Sequence, residues 1–322
     1  MKPRIVVTRE VFDETLAYLS QHLDVDANQA DVAYTPEVLA QKLTGRDGVM
    51  CALTDRIDAA LIAHCANLKV VANIAVGYNN IDVPACTARG IKVTNTPGVL
   101  DDSTADLAFA LMLATARRIT EVESTIRKGE WTGWKLKQWL GMDVHHATLG
   151  IIGMGRIGQA IARRAAGFDM KVIYHNRKRA AAEIEARLNA RYAGMDELLT
   201  QADFIILQMP YSPDTHHLIG AAQLKKMKPS AILINSTRGG VVDDAALIEA
   251  LKNGTIRAAG LDVFENEPRL NPEFLELKNV VLVPHIGSST EATRRAMAMT
   301  AAQNLVAALS GETPPNWVNS VR

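Results

Sequence analysis

The chain has 322 residues, room for two domains of ordinary size, and its 48% hydrophobic and 22% charged residues exclude a largely disordered chain. Thirty-five Lys and Arg balance 35 Asp and Glu, so no global charge favours nucleic acid or an anionic membrane surface. Three cysteines (Cys51, Cys65 and Cys86) are too few for a disulfide framework and form no C-x-x-C pair, which removes zinc-ribbon and thioredoxin readings and fits a reducing, cytoplasmic setting.

The opening MKPRIVVTRE lacks the long apolar region of a secretory signal, and the apolar stretches, of about ten residues, are too short to span a bilayer. Residues 4–8, 48–52, 70–76 and 91–94 read as strands, with helices near 10–22, 36–44, 57–65 and 81–89. This alternation predicts a parallel sheet covered by helices on both faces. A long helix is predicted over 104–127, which holds no Gly or Pro, with Ser103 and Asp106 as its capping box. Residues 129–146 are less regular and carry Trp131, Trp134 and Trp139. Such a cluster fits a core role, the commoner one, or a loop-rich arm at a subunit interface. A second alternating series begins at Thr148, with strands at 149–152, 171–174, 204–209, 231–235, 258–263 and 280–283. A closing helix near 290–309 takes Ser288 and Glu291 as its capping box and has Gly311 just beyond its end. Two α/β series predict two α/β domains with a ligand cleft between them.

The strand TLGIIG runs into Gly153-Met-Gly155-Arg-Ile-Gly158 and then a helix. A G-x-G-x-x-G in that setting is a dinucleotide fingerprint. Gly153 allows the turn, Gly155 lets pyrophosphate approach the backbone, and Gly158 lets helix and strand pack closely. The helix N-terminus adds free N–H groups and a positive dipole end. NAD-binding versions carry an acid at the end of the next strand, for the ribose 2′-hydroxyl. Here Asn176 holds that position and Arg177, Lys178 and Arg179 follow. Without a carboxylate a 2′-phosphate meets no repulsion, and Arg177 offers it a bidentate partner. NADP(H) is the expected cofactor, with NAD(H) as the alternative.

Three later strands lead to reactive side chains: ILIN to Ser236-Thr237-Arg238, GLDVF to Glu265-Asn266-Glu267, and VVLV to Pro284-His285. In an open α/β sheet the ligand sits beyond such strand ends. The set suits hydride transfer to a 2-oxo acid. Arg238 supplies a cation for the carboxylate or carbonyl, His285 a proton for the developing alkoxide, and Glu267 a partner that orients the imidazole. No metal is required, and only one well-placed His is present for one.

The motifs VGYNNID (76–82), HHATLGIIGMGRIG (145–158), INSTRGGVVD (234–243), AAGLDVFENEP (258–268) and VPHIGSST (283–290) make the whole chain resemble the D-isomer-specific 2-hydroxyacid dehydrogenase family. Within it, GMDVHHATLGIIGMGRIG and NARY are most similar to bacterial glyoxylate/hydroxypyruvate reductases, also described as 2-ketogluconate reductases. The resemblance implies two Rossmann-like or flavodoxin-like domains with parallel sheets. A cofactor domain (100–287) is inserted into a discontinuous substrate domain (1–99 and 288–322). It implies Arg238, Glu267 and His285 as the catalytic trio, with the Val76 and Gly77 N–H groups, Leu53 and Ser288 also on the substrate. Arg156 and Ile157 are implied at the pyrophosphate, and Thr104, Thr237 and Asp262 near the nicotinamide. It implies a homodimer through the tryptophan-bearing arm, with Trp139 or Trp134 reaching the neighbour's site. D-3-phosphoglycerate dehydrogenase is an alternative within the family, though its longer forms carry a C-terminal regulatory domain not seen here. Formate or phosphite oxidation fits the strand ends less well. A dinucleotide-sensing corepressor on the same fold is the alternative from another class.

Overall fold

The strands are short runs of Val, Ile, Leu and Ala, most of them buried on both faces, as a parallel sheet between two helical layers requires. In the computed structural model, which describes residues 1–320, they form two separate sheets in two units. One unit is Met1–Leu100 with the stretch from Ser289 onward; the other is Asp101–Ser288.

The first unit holds β1 (Arg4–Val7), α1 (Asp13–His22), β2 (Asp24–Ala27), α2 (Pro36–Leu43), β3 (Gly48–Cys51), α3 (Ala59–His64), β4 (Val70–Asn73), α4 (Val83–Ala88) and β5 (Lys92–Thr94). All pairings are parallel and the order is β2-β1-β3-β4-β5, the flavodoxin-like order. Side chains alternate between two cores. Val6, Val49 and Val71 pack with Leu39, Leu43 and Ile62 on one face. Ile5, Val7, Met50 and Val70 pack on the other with Ala298, Ala301 and Leu305 of the closing helix, Glu291–Leu309.

The second unit holds α5 (Asp101–Ala116), α6 (Ile119–Arg127), β6 (Thr148–Ile152), α7 (Arg156–Ala165), β7 (Lys171–His175), α8 (Ala182–Leu188), β8 (Ala190–Tyr192), α9 (Met195–Gln201), β9 (Phe204–Leu207), α10 (Ala221–Leu224), β10 (Ile232–Asn235), α11 (Asp244–Lys252), β11 (Ala258–Leu261) and β12 (Val280–Leu282). Its order, β12-β11-β10-β9-β6-β7-β8, is parallel throughout and reverses between β6 and β9, as in Rossmann sheets. The period of two again sorts the side chains: Ile151, Phe204, Ile206 and Ile234 to one core, Ile152, Ile205, Leu207 and Leu233 to the other.

The structure corrects several expected elements. Strands β2 and β8 were not expected from the sequence, because each is a short edge strand paired on one side only; β2 reads Asp-Val-Asp-Ala and has no fully buried residue. The expected strand over 70–76 leaves the ladder after Asn73, whose side chain bonds the carbonyl of Gly77 at 2.8 Å. The expected helix over 104–127 is two helices, and Ser103 lies inside the first rather than capping it. They part at Arg118, whose φ is 55°, while the Ala116 carbonyl accepts from the Met142 N–H at 2.9 Å instead of continuing the helical ladder. The closing helix is capped by Thr290, whose hydroxyl accepts from the Thr293 N–H at 3.2 Å, not by Ser288. A core role for the tryptophans is overturned at Trp131 and Trp134, which are 54% and 78% exposed; Trp139 is half-buried.

Candidate active site

The fingerprint loop joins β6 to α7 beside the point where the strand order reverses. Gly153 has a φ of 107°, and a methyl there would overlap the Gln208 carbonyl. A methyl on Gly158 would overlap the carbonyl of Gly153. Neither obstacle can yield, since both are backbone. Gly155 is different: nothing lies within 4 Å of where its Cβ would stand. That open space stands before the N-terminal turn of the ten-residue α7, where the Arg156 and Ile157 N–H groups have no helical acceptor. The loop therefore fits a pyrophosphate group by shape and by dipole.

In a sheet of this type the second part of a dinucleotide site is expected at the end of β7. Asn176 is not idle there: its Oδ1 accepts the Met154 N–H at 2.8 Å and so braces the fingerprint loop. The turn after it is pinned by Tyr174, whose hydroxyl accepts from the Ala180 N–H at 2.9 Å and donates to Glu185 at 2.6 Å. Arg179 is committed to Glu185 through two bonds of 2.7 and 2.8 Å. These bonds from Arg179 first, and then from Tyr174, hold the Glu185 carboxyl down at about 2. Arg177 and Lys178 are exposed and make no ion pair among the described residues, which suits an incoming phosphate.

The reactive strand ends meet within the same unit. His285 donates from Nδ1 to Oε2 of Glu267 at 2.8 Å, and Glu267 Oε1 accepts the Phe264 N–H at 2.9 Å. Burial alone would raise the Glu267 carboxyl; the bonds from His285 and Phe264, with the charges of His285 and Arg238, outweigh it and leave the group below its ordinary value. Arg238 is lowered by burial, against the opposing pull of Glu267 and Asp262. Its Nη1 donates to the carbonyl of Thr237 at 2.7 Å. His285 itself is held in a left-handed conformation, φ 54°, with its N–H on the Asp262 carbonyl at 2.9 Å.

Sequence reasoning missed the side chains that shape these loops. Asn235, the last residue of β10, accepts from the Thr237 N–H and hydroxyl at 3.2 and 3.0 Å and donates to the Arg238 carbonyl at 3.2 Å. The signal was available, because an Asn just before a Ser-Thr-Arg-Gly-Gly stretch is a turn former. Gln208, at the end of β9, donates to Ser236 at 2.7 Å. Asp262 was expected near the nicotinamide; here its buried carboxylate accepts the N–H groups of Ile286 and Gly287 at 2.6 and 2.9 Å. Thr104 lies 3.5 Å from where a Gly287 Cβ would stand, so Thr104, Asp262 and the turn after His285 form one group. Ser288 is half-buried just after it, and Trp139 is half-buried, with a φ of 52°.

Leu53, Val76 and Gly77 belong to the other unit. There, Asn95 and Asn73 draw back the Val76 and Gly77 carbonyls with bonds of 2.8 Å each, and neither residue's N–H has a protein acceptor among the described residues. Two adjacent peptide donors of this kind suit an anion. Among the described residues no group of three or more His, Cys, Asp or Glu side chains is placed to hold a metal ion, and no helix is long and apolar enough to cross a membrane.

Residues 109–287 match the family of the D-isomer specific 2-hydroxyacid dehydrogenase, NAD binding domain. The chain belongs to this family. It is therefore an oxidoreductase, and its similarity extends over the full length. It is 49% identical to a glyoxylate reductase of Thermococcus litoralis, covering 99% of this chain and 97% of the relative. It is 47% identical to a glyoxylate reductase of Pyrococcus horikoshii, with 99% and 96% covered. Among solved structures, a glyoxylate reductase from Paecilomyes thermophila superposes with a TM-score of 0.90 at 32% identity, covering 99% of this chain and 98% of that one. An NADPH-dependent glyoxylate/hydroxypyruvate reductase from Sinorhizobium meliloti, in complex with NADP and malonate, gives 0.89 at 33% identity, with 99% and 97% covered.

The lowered carboxyl of Glu267 makes the dehydrogenase's stability pH-dependent in a defined direction. A group whose folded value lies below its unfolded one stabilises the fold above the unfolded value, about 4.3 for Glu, and loses that contribution as pH falls through the folded value. Glu267→Gln removes this contribution. Its urea midpoint should fall less than that of the wild type between about pH 6 and pH 3. Parallel loss in both proteins would contradict the lowered value.

Proposed function

We propose that the enzyme reduces small 2-oxo acids (glyoxylate, hydroxypyruvate and 2-ketogluconate) to D-2-hydroxy acids, with NADPH preferred over NADH. The observation that carries this reading is the hydrogen-bonded pair of Glu267 and His285 within the electrostatic reach of Arg238, at the carboxyl edge of a dinucleotide-type sheet. The relatives named glyoxylate reductase, and a structural neighbour solved with NADP and malonate, support the substrate class.

In this reading Gly153, Gly155 and Gly158 with the N–H groups of Arg156 and Ile157 hold the pyrophosphate, and Asn176, Arg177 and Lys178 receive the 2′-phosphate. Thr104, Thr237 and Asp262 serve the nicotinamide end. A bound reduced nicotinamide supplies hydride to the substrate's carbonyl carbon. Arg238 holds the substrate carboxylate and polarises the carbonyl, with Ser288 as lining; in the other unit the Val76 and Gly77 N–H groups are carboxylate donors and Leu53 a lining residue. Because Nδ1 of His285 is committed to Glu267, Nε2 is the ring nitrogen that gives its proton to the carbonyl oxygen. Glu267 keeps the ring oriented and offsets the charge of its protonated form.

Absorbance assays with NADPH and NADH on the three acids test the cofactor reading. NADPH should win on the order of tenfold in kcat/KM, the worth of a charge-assisted hydrogen bond to the 2′-phosphate. Asn176→Asp, which keeps the acceptor for Met154 but adds a charge, should reverse the preference; equal rates in the wild type would remove the argument. For the chemistry, His285→Ala should lower turnover on the order of a hundredfold or more. Near-normal turnover in that variant would end the assignment.

We also infer a homodimer through the arm. Helix α6 buries none of its residues, and Ile119, Ile126, Trp131, Trp134, Leu136 and Leu140 are all exposed there, an apolar surface that a lone subunit would leave in water. Trp139, on the same arm, is then the candidate to reach the partner's site. Light scattering should give twice the chain mass for the wild type and the chain mass for Trp134→Asp with Leu136→Asp. A monomeric wild type at micromolar concentration refutes the dimer.

A further inference from the structure

Arg238 and Glu267 stand on neighbouring loops after β10 and β11, and the strands alone do not fix how these loops lie against each other. The backbones touch: a methyl on Gly239 would overlap the Phe264 carbonyl. The same Phe264 offers its N–H to Glu267 at 2.9 Å. Residues 264 and 265 therefore lean on the Arg238 loop at one end and hold Glu267 at the other.

Glu265 anchors that segment from the far side. Its N–H donates to Asp244 Oδ2 at 3.0 Å, and its Oε1 lies 2.5 Å from Nε2 of His217. His217 is on the loop after β9, in a left-handed conformation with φ 50°, and its N–H donates to the Gly240 carbonyl at 2.7 Å. One residue thus ties together the loops after β9, β10 and β11. The surroundings make its imidazole hard to replace. Asp243 Oδ2 is 3.8 Å from its Nδ1. The buried Asp244 carboxyl is pushed up to about 6, mainly by burial; the bond from the Glu265 N–H lowers it, the charges of Glu265 and Asp243 raise it, and His217 lowers it. The His216 ring stacks on His217 at 3.9 Å and takes a 3.2 Å contact from the Tyr211 hydroxyl. Without the imidazole, the Glu265 carboxylate would lose its ring donor beside the carboxylates of Asp243 and Asp244, and like-charge repulsion would move it and Phe264 together.

We propose that His217, through its bond to Glu265, is a positioning residue that sets the spacing between Arg238 and the pair of Glu267 and His285. The proposal rests on the catalytic reading of those three residues and adds a group that touches neither substrate nor cofactor.

The test compares two amides at position 217. His217→Asn accepts the left-handed backbone but is too short to reach Glu265, whereas His217→Gln extends an N–H donor to about the reach of Nε2. His217→Asn should lower kcat on the order of tenfold, as small misplacements of reacting groups do, and leave the KM for NADPH about unchanged. His217→Gln should recover most of that loss. Adding Glu265→Gln to His217→Asn should recover part of it, because the uncompensated carboxylate is gone. A merely structural role predicts a lower urea midpoint with wild-type kcat in both amide variants, and that result overturns the proposal, as does equal loss in Asn and Gln. His285→Ala in the same assay scores the parent reading separately: normal turnover there sinks the trio, whatever position 217 does.

Discussion

A parallel strand can be entered only by a crossover from the opposite edge of its sheet, so all strands of such a sheet end on the same side. In the Asp101–Ser288 unit this constraint gathers groups far apart in the chain. The glycine loop follows β6, Asn176 follows β7, Gln208 follows β9, the Arg238 loop follows β10, Glu267 lies beyond β11 and His285 beyond β12. The register keeps those ends level: Asn235 pairs with Leu207 on one side and Leu261 on the other. Everything chemical on this edge depends on that ladder, which is held by Ile, Val and Leu side chains buried on both faces.

The edge is also zoned by charge. The helix end at the fingerprint favours anions, and two strands away stands a half-buried guanidinium with carboxylates close by. A charge taken out of water is costly unless it is paired. Here burial acts against the charged forms of both groups: for Glu267 the bonds from His285 and Phe264, with the attraction of Arg238, outweigh it, whereas for Arg238 burial prevails over the opposing pull of Glu267 and Asp262. Removing either charge would leave the other with less to set against burial. The arrangement thus keeps a cation, an oriented imidazole and a carboxylate together in a place that partly excludes water, where electrostatic interactions are stronger than in solution.

Much of this was legible in the sequence, for a physical reason. Fully buried parallel strands must be continuous apolar runs, so β3, β9 and β10 announce themselves, and the glycines of the fingerprint are dictated by backbone contacts that admit no side chain. Edge strands face no such demand, and the polar Asp24 and Asp26 of β2 hid it. The break at Arg118 was invisible because it is imposed from a distance, by residue 142 taking the Ala116 carbonyl; no local residue there forbids a helix. The identity of the reactive residues could be read from strand-end chemistry. Their mutual orientation could not, because it depends on which backbone the Glu267 carboxylate takes, that of Phe264, and on His217, which is far away in sequence from both Glu267 and His285.

What shapes the loops themselves is a repeated device. In each unit an asparagine forms the last rung of a central strand and then bonds the backbone of the loop that follows: Asn73 to the Gly77 carbonyl, Asn235 to the Arg238 carbonyl. Asn176 braces the fingerprint loop, and Asp262 holds the turn after His285. A short amide or carboxylate suits this role because it reaches its own neighbourhood with little side-chain entropy to lose, and because it competes well with water for peptide groups. The consequence is functional. Peptide N–H groups fixed before a ligand arrives need no reorganisation to meet it, so their full electrostatic effect is available to the bound anion and to the transition state. On this argument the asparagines at the strand ends matter to catalysis as scaffolding for backbone donors, and their short reach keeps each brace within its own loop.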